Sequence, residues 1–340
     1  MLAEFRKKIW NTVIFLLVII LMPVIVLLLI SSAMELQATD VLSYFFSSTI
    51  GSVSGLLSVL DRTTILLILS VGLMIAFRCS TWNIGAEGQM AVGIVGALGV
   101  SLFLALPGPI LIMLGFLVSF ILGGLWGGVA GFLKAKWEVN EIPITLMQNF
   151  VALALLDYMV RGPWRSPEVA LGRTPFIPET ARLPFIDFPL NSAFIIGLVF
   201  VPMCYWLLNN TLLGYRLQAA GVDRAAASFA GINVKRTIFL SMFISAAIAG
   251  FGGASLVFSE FFMGQSMMTG NYGFYAIVPT LLVGSKVELL PFACFLTAVI
   301  LVGSLNLSIV GVPARFTLLI MGTIFLGMCL PVIFQRKRKQ

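Results

Sequence analysis

The feature that most constrains this chain is a recurring block. Runs of about twenty apolar residues, separated by short polar segments, repeat along the sequence. A bilayer core of about 30 Å is crossed by roughly 20 helical residues rising about 1.5 Å each, so each run has the length of a membrane-spanning helix. Ten runs are read, over 9–30, 62–78, 84–105, 109–133, 142–160, 191–209, 237–258, 274–285, 289–309 and 314–334. A water-soluble pair of domains is excluded by composition. Of 340 residues, 59% are hydrophobic and 10% charged, against about 25% charged in an ordinary globular chain. Fourteen acids and 21 bases cannot cover the surface of a soluble chain this long. The expected fold is all-α and polytopic, with about 10 transmembrane helices in one membrane domain over 1–340.

The first run follows Arg6, Lys7 and Lys8 and ends near Ser31 and Ala33, which imitates a signal peptide. Its length exceeds the roughly 7–15 apolar residues of a secretory core, so it reads as an uncleaved first helix. With a cytoplasmic N-terminus and ten crossings, the C-terminus is cytoplasmic too. Six of the 21 bases, Arg62, Arg161, Arg165, Arg173, Arg182 and Arg315, then fall outside, leaving fifteen inside. That is the bias of the positive-inside rule, so the basic balance reports topology and no nucleic-acid partner is needed to explain it. The proline-rich stretch at about 161–190 reads as an extended outer loop, because its six prolines cannot sit in a helix interior. The stretch at about 209–236 is the larger inner loop.

Ten crossings divide into two halves of five that enter in opposite directions, a 5+5 inverted repeat. Run three opens with Asn83-Ile84-Gly85 and run eight with Asn271-Tyr272-Gly273. Run eight is too short to cross alone unless the broken 264–273 stretch supplies part of the depth. Small residues recur at four-residue steps in run four (Gly123, Gly127, Gly131) and run seven (Ala246, Gly250, Ala254), a pattern that lets backbones approach closely.

Several chemistries are excluded. There is no histidine, which removes the Ser-His-Asp relay and the HExxH zinc site. Cys79, Cys204, Cys294 and Cys329 are widely spaced and read as small core residues, with no metal site expected. No nucleophile paired with a base is visible, so no catalytic residue is assigned. No GxxxxGK[ST] string occurs, so the chain has no phosphate cradle for ATP.

The most informative string is Asn83-Ile84-Gly85-Ala86-Glu87-Gly88-Gln89. A carboxylate at the bilayer centre costs about 2.5–3.5 kcal/mol on insertion scales, so Glu87 is expected to face protein, water or a helix N-terminus. The simpler alternative is a capped helix start, with Asn83 as cap and Glu87 complementing the helix dipole. In the inner loop, Asp223 is a good N-cap, 224–230 is short and helix-prone, and Gly231 is a natural stop.

The first of these strings resembles the FNIGAEGQ signature of the inner-membrane permease subunits of nucleoside and simple-sugar ABC importers, in the branched-chain amino acid and ribose permease superfamily. Trp82 stands in place of the usual phenylalanine. Asn140 to Asn149 resembles the family's NEVISTIMLNY region, departing at Gln148 and Phe150, and Asn271 to Phe274 resembles its GYGFDGIAVALLG segment, departing at Tyr275 and Pro279-Thr280. Gly214 to Ile232 resembles its cytoplasmic coupling loop.

The resemblance implies a multi-pass permease of the bacterial inner membrane that binds no cofactor itself, ATP being used by a partner ATPase subunit. It further implies a second permease, identical or paralogous, and an extracytoplasmic solute-binding protein or lipoprotein. The expected solute is a nucleoside, with simple sugars or riboflavin as alternatives. The solute pathway is expected to use Asn83, Glu87, Gln89, Asn140, Gln148, Asn149 and Asn271, with walls from Phe150, Tyr272 and Phe274. Intramembrane amides can equally tie helices together. Coupling to the ATPase is expected at Asp223, Arg224, Ser228, Phe229 and Gly231, with Phe229 as an apolar anchor. The rival class is an ion-coupled secondary transporter, opposed by the scarcity of paired intramembrane carboxylates. A channel is a weaker rival.

Overall fold

A computed structural model describes residues 24–167 and 172–313, together with 319, 322 and 323. Most of the first and last predicted runs, Arg6, Lys7, Lys8, Arg315, the C-terminal bases and Cys329 lie outside the described residues. Among the described residues, seven helices are long and apolar enough to cross a membrane. The protein is a mostly helical, polytopic membrane protein.

In chain order the helices are α1 (Val24–Ala33), α2 (Ala38–Ser47), α3 (Val53–Arg78), α4 (Ala86–Phe103), α5 (Gly108–Trp137) and α6 (Glu141–Arg161). They continue with α7 (Ala193–Asn210), α8 (Leu212–Val222), α9 (Arg224–Phe229), α10 (Val234–Leu256), α11 (Tyr272–Tyr275), α12 (Ile277–Val283) and α13 (Leu290–Asn306). A π-helical turn at Val257–Phe261 prolongs α10, and short 3-10 turns flank α13. Seven of the ten predicted runs coincide with spanning helices. Run eight falls on two short helices, α11 and α12, which follow an irregular stretch at 262–271.

Two boundaries moved for physical reasons. Helix α3 begins at Val53, nine residues before the predicted run, because Asp61 and Arg62 lie inside the helix where Arg62 is paired with Glu260. The inner loop holds α8 as well as the expected short helix. Helix α5 runs on to Trp137 with Lys134 and Lys136 in its last turn, where cations complement the helix C-terminus, and stops at Glu138 in the left-handed region.

The chain divides into two compact units, one of Leu60–Cys294 and one from Met1–Val59 with Phe295–Gln340. In the first, α4, α5 and α10 form the core, and the two predicted small-residue stripes meet each other. A Cβ on Gly93 would fall on the Gly250 backbone, and one on Gly250 would fall on the Ser119 carbonyl and 2.9 Å from the Gly123 Cα. Only glycine permits that approach. Helix α6 leans on this core through one stripe, Glu141, Thr145, Asn149, Ala152, Leu156 and Val160.

The loop after α6 is extended, as its prolines predict, and carries a two-stranded antiparallel ribbon, β1 (Phe185–Asp187) and β2 (Leu190–Asn191), a small departure from an all-α fold. It is stitched to residues 258–264. Ile177 N–H donates to the Phe262 carbonyl (2.8 Å), Leu183 N–H to that of Phe258 (2.8 Å), and Asn191 Nδ2 to that of Ser259 (3.0 Å). In the second unit, α2 buries Val41 and Phe45, the latter against Gly303, and Asn306 Nδ2 donates to the Ser48 carbonyl at 3.2 Å.

Candidate functional site

The three strings singled out by sequence converge at the start of α4. Asn83 and Gln89, both fully buried, form a head-to-tail amide pair in which each Nδ2 or Nε2 donates to the other's side-chain oxygen at 2.9 Å. Asn83 Nδ2 also donates to Ser245 Oγ of α10 (2.8 Å). Asn149 of α6 accepts from Gly88 N–H (2.8 Å) and donates to the Ile84 carbonyl (2.9 Å). A buried amide with all its groups paired is a tie between helices, because breaking either bond leaves a polar atom unsatisfied away from water.

Asn83 is not the helix cap. Gly85 holds that position without a side-chain cap, and Asn83 Oδ1 instead takes the Gly85 N–H at 3.0 Å in an Asx turn.

Glu87 is 1% exposed. Its carboxyl faces a helix N-terminus, one of the environments that burial in a membrane demanded. Asn271 N–H donates to Oε1 (3.0 Å) and Gly273 N–H to Oε2 (2.7 Å), at the first turn of α11. Asn271 has φ 62°, in the left-handed region that asparagine tolerates, and this turns both N–H groups toward Glu87. The openings of runs three and eight therefore abut, and a Cβ on Gly273 would fall on the Glu87 backbone.

The remaining predicted pathway residues scatter. Asn140 is the exposed N-cap of α6 and accepts from Ile142 N–H at 3.1 Å. Gln148 Nε2 donates to the Trp126 carbonyl (2.9 Å), while its Oε1 and Trp126 Nε1 are buried without partners among the described residues. Phe150, 62% exposed, lies on the outer face of α6, and Phe274 is partly buried. Tyr272 is buried, and its hydroxyl accepts from Arg62 Nη1 at 2.6 Å.

Two polar groupings escaped the sequence reading. Arg62 Nη1 also donates to Glu260 Oε2 (2.6 Å), and the guanidinium lies 5.7 Å from the Tyr272 ring centroid. One cation thus joins α3, the π-turn after α10 and α11. Glu141 pairs with Lys134 at 2.6 Å and accepts from Trp82 N–H at 3.0 Å, fixing the approach to α4. Charges beside apolar runs are the available signal, but in the sequence alone each reads as a span boundary.

The inner loop folds as expected around α9. Asp223 Oδ1 accepts from the N–H groups of Ala225 (2.8 Å) and Ala226 (3.1 Å), and Gly231 ends the helix at φ 80°. Ile232 N–H returns to the Ala227 carbonyl (3.0 Å), closing a Schellman-type stop. Phe229 is 94% exposed, and Arg224 and Ser228 line a hollow of about 570 Å³ with Lys134 and Lys235.

Comparison with known proteins agrees with these motifs. The profile of the family described as branched-chain amino acid transport system / permease component matches residues 55–329. The guanosine ABC transporter permease protein NupP of Bacillus subtilis is 32% identical over 261 residues, covering 74% of this chain and 74% of that protein. The glucose ABC transporter permease protein TsgB13 of Haloferax volcanii is 28% identical over 320 residues, 90% of this chain and 84% of that protein. The nucleoside ABC transporter permease protein NupB of Lactococcus lactis is 25% identical over 303 residues, 85% of this chain and 83% of that protein. No solved structure shows a significant match. With the motifs, the spanning helices and the family match in agreement over most of its length, the chain belongs to the branched-chain amino acid transport system permease family, as a multi-pass ABC permease subunit and not an enzyme.

Proposed function

We propose that this subunit moves nucleosides inward across the cell membrane by alternating access, driven by ATP hydrolysed on a separate subunit. The observation that carries this reading is the family match over 55–329 together with 32% identity to a guanosine permease. Helix α9 supports it. A short helix capped at both ends and carrying a bare phenylalanine gains a reason to persist when it seats in a groove of the ATPase. ATP-driven closure of the ATPase pair would then push α9, and with it α8 and α10.

The full assembly in this reading has ATPase subunits, a second permease copy or paralogue, and an external solute-binding protein. The topology has ten crossings in two inverted halves of five, with both termini in the cytoplasm. The segment at 161–190, stitched to residues 258–264, would face the binding protein. A sugar as solute is the second reading, favoured by the glucose permease relative that spans 90% of the chain.

Uptake by proteoliposomes holding the assembled complex is the test. Guanosine should accumulate with ATP and binding protein present, and vanadate should stop it. Accumulation of glucose with no competition from guanosine would establish the sugar reading instead. Uphill transport by the isolated chain on a proton or sodium gradient alone would overturn the ATP-driven mechanism.

A further inference from the structure

A cavity of about 440 Å³ lies where α3, α8 and α12 end, and it was not part of the pathway expected from sequence. Its size is that of a small-molecule pocket, for which about 300–1,000 Å³ is typical. Phe77 and Trp82, with ring centroids 5.1 Å apart and planes tilted by 44°, line it with aromatic faces, and Leu281 adds an apolar wall. Its polar groups are poised rather than spent. Arg78 donates from Nη2 to Asn209 at 3.1 Å, while its buried Nε has no partner. Among the described residues, neither the Gln218 amide nor the Ser285 hydroxyl has a side-chain hydrogen bond. Among the described residues, no carboxylate lines the cavity.

That set selects a chemistry. A sugar hydroxyl both donates and accepts and can use the same donors, so the preference comes from the aromatic faces beside a guanidinium and an amide, which offer donors and one acceptor on a planar edge. The edge of a nucleobase carries matching ring nitrogens and carbonyls, and an aromatic ring stacks on its face. By contrast, the amides of Asn83, Gln89 and Asn149 are already engaged with one another, with α10 and with backbone.

We propose that this cavity binds the nucleobase of the transported solute on the release side, with Trp82 stacking on the base and Arg78 and Gln218 reading its edge. The inference rests on the nucleoside-import reading and its topology, which place the ends of α3 and α12 toward the cytoplasm. It also gives the ATPase a lever on the site. Gly221 of α8 packs against the Arg78 carbonyl so closely that no Cβ fits, and Ser80 Oγ donates to the Gly221 carbonyl at 2.7 Å. Asp223 alone separates α8 from α9. A push on α9 therefore moves the wall that carries Gln218.

The test is solute protection in the assembled complex. Gln218→Cys is placed in a Cys329→Ser background, since Cys79, Cys204 and Cys294 are buried, and is labelled with an impermeant maleimide from the cytoplasmic face. Guanosine at about ten times its half-protecting concentration should slow labelling about tenfold, while glucose should not. Adding Trp82→Ala should abolish protection and leave the labelling rate without nucleoside unchanged. Absence of protection in a complex that imports guanosine overturns the site while sparing the import reading. Protection by glucose alone overturns the nucleobase assignment. Failure of Gln218→Cys to label at all puts the cavity beneath partner subunits and overturns it too. A complex that imports no nucleoside defeats the underlying function as well.

Discussion

Glu87 stands in the first turn of its own helix while its two carboxyl oxygens accept from the first turn of another, so one side chain satisfies donors that α11 cannot satisfy itself. Removing it strands two N–H groups at a site that is nearly dry. Each buried unpaired group costs about 1–3 kcal/mol. Glu87→Ala is therefore expected to lower the thermal unfolding temperature of the purified subunit sharply, and Glu87→Gln, which keeps one acceptor, by less. If Glu87→Ala left stability intact and raised only the half-saturating solute concentration, Glu87 would be touching solute instead of holding α11. The Arg62–Glu260 pair invites a different experiment because its side chains are 27% and 22% exposed. That lies between exposed pairs, worth about 0.2–1 kcal/mol, and buried ones whose disruption costs about 3–5 kcal/mol. A cycle of Arg62→Leu, Glu260→Leu and the double variant should give a positive coupling energy of about 0.5–3 kcal/mol in unfolding. Strict additivity would show that the two side chains act independently.

At the scale of elements, the spanning helices were legible because hydrocarbon thickness imposes a length and a composition on every crossing. Charges were the source of error. Asp61 and Arg62 hid the first turns of α3, because a charge reads as a boundary until its distant partner, Glu260, is known. Helix α8 was missed because Leu212–Val222 mixes apolar, basic and glycine positions without a span's length. The small-residue stripes of α5 and α10 were legible as close-approach surfaces. That they face each other was not, since spacing identifies a surface but not its partner. The consequence is testable at Gly250, where an added methyl would meet the Ser119 carbonyl. Overpacking of this kind costs about 1–3 kcal/mol. Gly250→Ala should destabilise the subunit by that order, read from thermal unfolding in detergent, whereas Gly128→Ala, whose nearest new neighbour is the Phe243 ring at 3.3 Å, should be milder. Equal effects would show that the α5–α10 contact is looser than the backbone distances imply.

For the whole molecule, the sequence strings marked the hub around α4, but residue type alone cannot say which of its amides are bonded to neighbouring elements. Tertiary contacts add that Asn83, Gln89 and Asn149 are each tied to neighbouring side chains or backbone. The inner loop was more legible, since caps and stops are local and Asp223 and Gly231 act within a few residues. Its function is still a matter of assembly, and Phe229 is the place to ask. A phenylalanine left 94% exposed contributes little to the fold of its own chain. Burying such a side chain in a partner groove is worth about 1.5–3 kcal/mol, and each 1.4 kcal/mol is about tenfold in affinity. Phe229→Ala should therefore leave thermal unfolding of the isolated subunit unchanged and weaken ATPase binding by at least about tenfold. In proteoliposomes it should uncouple vanadate-sensitive hydrolysis from uptake. Phe229→Leu, which keeps an apolar anchor, should recover part of both. Retention of full ATPase affinity and full uptake by Phe229→Ala would remove α9 from the interface and send the search for the motor's contact to the neighbouring hollow lined by Lys134, Arg224 and Lys235.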